Sequence, residues 1–141
     1  MKTRQFTTSR HIQLLPITSA VREALAALPP WSGLLYVYSP NTTAAVTVNE
    51  QADPDVAADL EKIFARLVPL HGGYAHAEGN SAAHAQTTLV GPGVWVPVAN
   101  GRLALGTWQG LYLCEFDGPR TRTVQLHPMP SPANLPGDTA P

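Results

Sequence analysis

Three histidines fall close together in one polar stretch of the chain: His71, His76 and His84. A neutral imidazole can bind a metal ion or move a proton near pH 7, so these residues suit a metal centre or acid–base catalysis. His76 and His84 flank a Glu-Gly-Asn segment, and a turn there would let both rings converge on one ion or one phosphate. The alternative is that they are loop histidines bound to solvent or backbone.

Other side chains also offer chemistry. Glu50 ends an apolar run just before a helix start, where a carboxylate can act as acid, base or metal ligand, or can simply be a helix-entry charge. Arg102, Arg120 and Arg122 could each bind phosphate through two hydrogen bonds, although a lone arginine is also an ordinary surface residue.

A glycine-flanked segment, residues 106–110, interrupts a strand-like pattern. Glycine there permits a bulge or the close approach of another backbone. If the strand continued through it, Thr107 and Gln109 would point to one face and Trp108 to the other. The segment is then either a strand edge that contacts a ligand or a packing contact around Trp108.

Composition narrows the class of protein. The 141 residues are 44% hydrophobic and 13% charged, with a net charge of −1, which indicates one domain and no nucleic-acid or acidic-membrane partner. The single cysteine, Cys114, excludes an internal disulfide framework and a zinc site of several thiolates, and its strand setting indicates a packed residue. Neither a membrane-spanning run nor a secretory pattern is seen, so we expect a cytoplasmic protein.

The elements that must position these residues follow from periodicity and from capping signals. Asp53, Pro54 and Asp55 predict a helix start, with an apolar face formed by Val56, Leu60, Ile63, Phe64 and Leu67. We also predict a helix capped by Thr18 or Ser19 and a short helix capped by Asn80 or Ser81. Strands are expected in segments 3–15 (two strands), 33–39, 44–49, 94–98, 102–105, 107–116 and 122–127.

This order predicts an α+β fold, with a two-layer, mixed or antiparallel β-sheet domain and two main helices. We expect residues 1–127 to form the single domain and the Pro-rich residues 128–141 to form a disordered tail. The apolar surface of so many long strands exceeds the area that two helices can cover. This excess favours self-association.

The chain carries three motifs, which lie in segment 48–50 with 52–55, in segment 74–76 with 78–80 and 83–84, and in segment 101–110 with 115–120. Together these motifs resemble the YjbQ-like family, also called secondary thiamine-phosphate synthase enzymes. The resemblance covers about Thr3 to Leu126.

The resemblance implies a homotrimer with sheets packed around a threefold axis. It also implies a histidine cluster for a divalent metal (Mg or Zn) or an anion, and a reaction that joins a pyrimidine pyrophosphate to a thiazole phosphate with release of pyrophosphate. On matching positions, the implied catalytic residues are His76, His84 and Glu50, with Glu50 near the two histidines, and the implied metal ligands are His76 and His84. The residues implied to bind the small phosphorylated substrate are Asn41, Asn80, Thr107, Trp108, Gln109 and Arg120.

One position departs from the family pattern. Asn41 stands where the family usually has a histidine before the Thr-Thr-Ala segment. Asn can offer an oxygen to a hard cation or hydrogen-bond a phosphate, but it cannot shuttle a proton and binds zinc poorly. The chain is therefore either an enzyme or a non-catalytic protein that binds a small molecule or phosphate through a degenerate cluster, and His71 is a conceivable substitute ligand.

Overall fold

The structure is a computed structural model that describes residues 1–132. The bounds of its strands and helices are β1 (Lys2–Thr7), β2 (Gln13–Pro16), α1 (Thr18–Ala26), β3 (Gly33–Tyr38), β4 (Ala44–Glu50), α2 (Pro54–Leu67), α3 (Ser81–Val90), β5 (Gly93–Ala99), β6 (Arg102–Leu103), β7 (Gln109–Glu115) and β8 (Thr121–Pro130). Among these residues, no helix is long and apolar enough to cross a membrane. The α+β prediction is confirmed.

Two antiparallel sheets carry the fold. Five strands lie in the order β1-β8-β3-β5-β6, and three lie in the order β2-β7-β4. The register of the smaller sheet matters for function, because it pairs Ala44 with Glu115 at one end and Glu50 with Gln109 at the other.

The core is divided by the three-stranded sheet. Successive side chains of a strand point to opposite faces, and β7 shows this clearly. Leu111 and Leu113 pack in a cluster with the five-stranded sheet and α1, whereas Tyr112 and Cys114 pack on the other side in a cluster with α2 and α3. The smaller sheet is therefore covered on both faces by packed side chains, and this packing holds the ends of its strands in place.

The capping predictions had mixed outcomes. Asp53 caps α2 as predicted, since its Oδ1 accepts the Asp55 amide at 2.9 Å. The cap position of α1 is Ile17, which makes no side-chain cap bond, and Thr18 is already helical. The Thr18 hydroxyl instead donates to the side chain of Gln51 and accepts the Leu111 amide at 2.8 Å. The expected side-chain cap is wrong there, because the hydroxyl serves to join helix and sheet.

Two apolar residues of α2 are not buried as predicted. Ile63 is 51% exposed and Leu67 63% exposed, while Leu60 and Phe64 pack on the cluster with Tyr112 and Cys114. The helix therefore contacts the sheet through a narrower stripe than its apolar pattern suggests.

Two strand boundaries also differ from expectation. β7 begins at Gln109, so Thr107 and Trp108 lie in a turn and do not alternate across a strand. β8 runs to Pro130, and its last three residues pair with β3, which lies beyond the predicted domain end at residue 127. The rest of the predicted tail, residues 133–141, lies outside the described residues.

Candidate functional site

His76 and His84 contact each other. Their ring centroids are 5.4 Å apart and their planes meet at 77°. A turn brings His76 back toward the helix, since the Gly79 amide donates to the His76 carbonyl at 3.0 Å and Gly79 has a φ of 72°. His84 lies one helical turn after Asn80, on the first turns of α3. His76 is exposed and His84 half-buried, so the pair is open to a ligand.

Asn80 anchors this end of α3 through its side chain. Its Nδ2 donates to the Asp117 carboxylate at 3.0 Å. Asn80 is only 8% exposed, and its Oδ1 is buried without a hydrogen-bond partner within the described structure. A buried polar atom without a partner costs free energy, so such atoms point to a ligand or water that completes them. Asn80 occupies the cap position but makes no side-chain cap bond.

Asp117 connects Asn80 to Arg120. The same carboxylate oxygen accepts from Asn80 and from the Arg120 guanidinium, the latter at 2.9 Å. Burial by itself would raise the pKa of Asp117, but hydrogen bonds from Asn80 and Arg120, with the nearby charge of His11, bring that pKa below its ordinary value. The structure thus places Arg120 beside Asn80, with its charge already paired.

Below this turn lies a fully buried ion pair. Glu115 is 0% exposed and accepts from Arg122 Nε at 2.8 Å, from the Thr8 hydroxyl at 2.9 Å and from the Asp117 amide at 2.9 Å. Burial would raise the pKa of Glu115, but the bonds from Arg122 and from Asp117 hold it below its ordinary value. Arg122 is therefore a structural residue and is not free to bind phosphate.

Asn41 lies at the same end of the smaller sheet, just before β4. Its Nδ2 donates to the Ser39 hydroxyl at 2.9 Å and to the Thr123 carbonyl at 3.2 Å. The bond to Ser39 lies within the segment between β3 and β4, and the bond to Thr123 ties that segment to β8 of the five-stranded sheet. The amide nitrogen is thus used by the fold, and only the oxygen of this side chain remains as a ligand atom.

The remaining predicted residues lie at the opposite end. Glu50 pairs with Gln109, and the Gln109 side chain accepts the Gly106 amide at 2.8 Å inside its own turn. Trp108 is 63% exposed in that turn, and Thr107 is exposed beside it. Gly110 has no Cβ, which leaves room for Gln51 to pack against it. The glycine-flanked segment is therefore a turn that is held by the hydrogen bond between Gly106 and Gln109, and it exposes Thr107 and Trp108 to solvent.

These two ends are far apart. The seven residues of β4 separate Ala44, at the histidine end, from Glu50, at the tryptophan end. A strand rises about 3.3 Å per residue, so the ends are roughly 20 Å apart. Within one chain, Glu50, Thr107, Trp108 and Gln109 do not join the histidine pair, contrary to the placement implied by the resemblance.

One chain supplies too few ligands for the expected metal. Within residues 1–132, no group of three or more His, Cys, Asp or Glu side chains is placed to hold a metal ion. Catalytic zinc takes three protein ligands as a rule, and Mg²⁺ prefers oxygen ligands. Two imidazoles alone fit neither ion. His71 is exposed, earlier in the same loop.

Two contributors to these sites were missed by the sequence analysis. Neither Asp117 nor Arg22 was singled out as a candidate site residue, because Asp117 belongs to a turn sequence and Arg22 to helix α1. Arg22 lines two cavities at the tryptophan end. Partners distant along the chain give both residues their roles, so no local pattern signals them.

Comparisons with known proteins identify relatives over nearly the whole described chain. A family model described as UPF0047 protein YjbQ-like matches residues 2–131. The chain is 46% identical over 130 residues to UPF0047 protein YugU of Bacillus subtilis, covering 92% of this chain and 98% of YugU. It is 39% identical over 118 residues to UPF0047 protein MJ1081 of Methanocaldococcus jannaschii, covering 84% of this chain and 86% of that protein.

Solved structures share the fold. A YjbQ/UPF0047-family protein from Clostridium acetobutylicum matches with a TM-score of 0.84 and 40% identity, over 90% of this chain and 98% of that chain. Hypothetical protein APE1520 from Aeropyrum pernix K1 matches with a TM-score of 0.85 and 41% identity, over 93% of this chain and 100% of that chain. The names of these relatives state no activity.

Proposed function

The chain belongs to the family of YjbQ-like UPF0047 proteins, and we propose, from this premise and from the contact between its histidines, that it is a cytoplasmic enzyme that acts on phosphorylated small molecules. The reaction that we propose joins a pyrimidine pyrophosphate to a thiazole phosphate, giving thiamine phosphate and releasing pyrophosphate. The observation that carries the proposal is the contact between the His76 and His84 rings beside the buried, unpartnered Asn80 oxygen.

The proposed chemistry is a displacement at carbon. The thiazole nitrogen attacks the methylene carbon of the pyrimidine, the bond from that carbon to the pyrophosphate oxygen breaks, and its electron pair goes to pyrophosphate. Stabilising this leaving charge is the main catalytic need, and donors fixed in place before the reaction meet it best. The imidazole rings of His76 and His84 each carry an N–H that donates a hydrogen bond to a leaving oxygen.

The surroundings of the pair would hold these donors in place. Asp117 fixes the Asn80 side chain, and Glu115 fixes the Asp117 backbone amide. Asn80 Oδ1 is an acceptor, so it suits a hydroxyl, an amino group or a water that bridges to the substrate. Since the donors of one chain do not fit a zinc or magnesium centre, no step of this mechanism passes through a metal.

The proposal is tested by pyrophosphate release in a coupling assay with purified protein and both substrates. His76→Ala and His84→Ala should each lower the rate by about 10²- to 10³-fold, the usual cost of a lost donor to a developing oxyanion. His71→Ala is the matched control, because His71 is an exposed loop histidine outside the ring contact. Unchanged rates in both pair variants would sink the assignment.

A second candidate function is a protein that binds a small molecule or phosphate without turnover. The bonds from Asn41 to Ser39 and Thr123 favour it, because they use the amide in the position where the family's third histidine is expected. This candidate predicts that thiamine phosphate raises the melting temperature of the wild type while no pyrophosphate is released. Measurable release that depends on His84 would refute it.

We further propose that the working form is a homotrimer. The outer face of the five-stranded sheet supports this, because it exposes large apolar side chains: Leu34 at 42%, Trp95 at 49% and Met129 at 55%. Tyr36 stacks on Trp95 with ring centroids 4.7 Å apart, so the two rings form one continuous aromatic surface on this face.

Analytical ultracentrifugation tests the trimer. The proposal predicts a mass three times the 15.0 kDa of one chain, and it predicts that Trp95→Ser shifts the protein toward monomer. Leu67→Ser is the control, because Leu67 is also a large apolar side chain and is exposed at 63%, but it lies on α2, in the helical layer. A monomeric wild type at micromolar concentration would contradict the proposal.

A further inference from the structure

Of the three arginines singled out in the sequence, only Arg102 has no carboxylate partner among the residues that the structure describes. Arg120 pairs with Asp117, and Arg122 pairs with Glu115. Within residues 1–132, Arg102 makes no salt bridge, and neither does Arg22 on α1. Unpaired guanidinium groups on an almost neutral protein are the natural place for an anion.

Arg22 and Arg102 line the same cavity. It has a volume of about 380 Å³ and lies between α1 and β6, with Leu25, Ala26, Gly101 and Leu103 as its other walls. None of these residues is acidic. Two arginines therefore line one space whose other lining residues are aliphatic or glycine.

Arg22 also lines a neighbouring cavity of about 250 Å³. This second space is polar, and its lining includes Ser19, Thr107, Trp108 and Gln109. It too has no carboxylate among its lining residues. Arg22 thus lies between two cavities. One is lined by two arginines and by apolar residues, and the other is lined by hydroxyl groups and by the exposed indole of Trp108.

We propose that the cavity lined by Arg22 and Arg102 binds a small organic phosphate. A phosphate dianion can accept paired hydrogen bonds from both planar guanidinium groups, which a carboxylate with one charge and two oxygens does less well. Ala26 and Leu103, which are at least partly exposed, give the organic part an apolar surface. The volume falls in the range of small-molecule sites, which are about 300–1,000 Å³.

This site is separate from the histidine pair. It lies at the tryptophan end of the molecule, whereas His76 and His84 lie at the Asp117 end, roughly 20 Å away by the rise of β4. A reaction at the histidines needs no ligand here, so the two proposals stand or fall independently.

The test is an NMR titration of the full-length protein with inorganic phosphate, at constant ionic strength. Phosphate should shift the backbone amides of Gly101, Arg102 and Leu103 in a saturable manner. Arg22→Gln and Arg102→Gln should each weaken this binding about tenfold, as expected for the loss of one charge-assisted contact. Both side chains are exposed, so the variants should fold normally.

Two controls make the outcome decisive. Arg66→Gln removes an exposed arginine of α2 in the helical layer and should leave phosphate binding unchanged. If phosphate binding weakened equally in the Arg66→Gln variant, the effect would come from the change in net charge of the protein, and the proposed site would be overturned. Shifts confined to the residues around Asn80 and Arg120 would also overturn it. Acetate binding as tightly as phosphate would overturn the assignment to phosphates.

Discussion

Replacing Glu115 by glutamine should destabilise the protein strongly, because it leaves a buried guanidinium without its counter-charge. The Glu115 carboxylate is 0% exposed and the Arg122 side chain 8% exposed. Glutamine keeps one acceptor oxygen but turns the other toward Arg122 as an N–H₂ donor. Breaking a buried pair by removing one partner costs about 3–5 kcal/mol, which is a large part of the 5–15 kcal/mol that stabilises an ordinary domain.

Urea unfolding measures this loss, with Asp59→Asn as the control. Asp59 and Lys62 form a pair that is 68% exposed on both sides, so its loss should cost less than about 1 kcal/mol. The pKa of Glu115 is lowered in the folded state, so its contribution is complete above the ordinary carboxyl value of about 4.3 and is lost as pH falls through the folded value. The gap between wild type and Glu115→Gln should narrow in that acidic range. A loss below 1 kcal/mol at pH 7, or a gap constant into acid, would refute the reasoning.

Three further predictions follow from the same structure. Asp117→Asn weakens the hold on Asn80 and should lower pyrophosphate release by up to about a hundredfold while circular dichroism stays unchanged, since small displacements of catalytic groups can cost that much. Burial raises the pKa of Cys114 to about 12, so a thiol reagent at pH 8 should modify it only after urea unfolding, as followed by absorbance. Asn41→His should tighten zinc binding at least about tenfold by calorimetry, since a third imidazole completes the usual ligand number; an unchanged affinity would place Asn41 outside the cluster.

Much of the fold could be predicted because its signals are local. Asp53 and Pro54 mark the start of α2 through groups within one turn, and the structure begins that helix at Pro54. The strand pattern was equally direct, and each expected strand segment overlaps an observed strand. Local signals failed where a distant partner decides the outcome. The Thr18 hydroxyl bonds to Gln51 and Leu111 instead of capping its own helix.

The candidate site was predicted in part for the same reason. The turn between His76 and Asn80 is local, so convergence of His76 and His84 could be foreseen. The contact between Asn80 and Asp117 spans 37 positions, and a turn sequence does not reveal it. Glu50 was placed with the histidines by family resemblance, although the length of the predicted strand before it already implies a separation.

The most direct test of the histidine site is a crystal structure of the protein grown with thiamine phosphate. The account predicts phosphate oxygens within about 2.6–3.2 Å of nitrogen atoms on both His76 and His84, with Asn80 Oδ1 hydrogen-bonded to the ligand or to a bridging water. A bound ligand that leaves both imidazoles without a contact would contradict it.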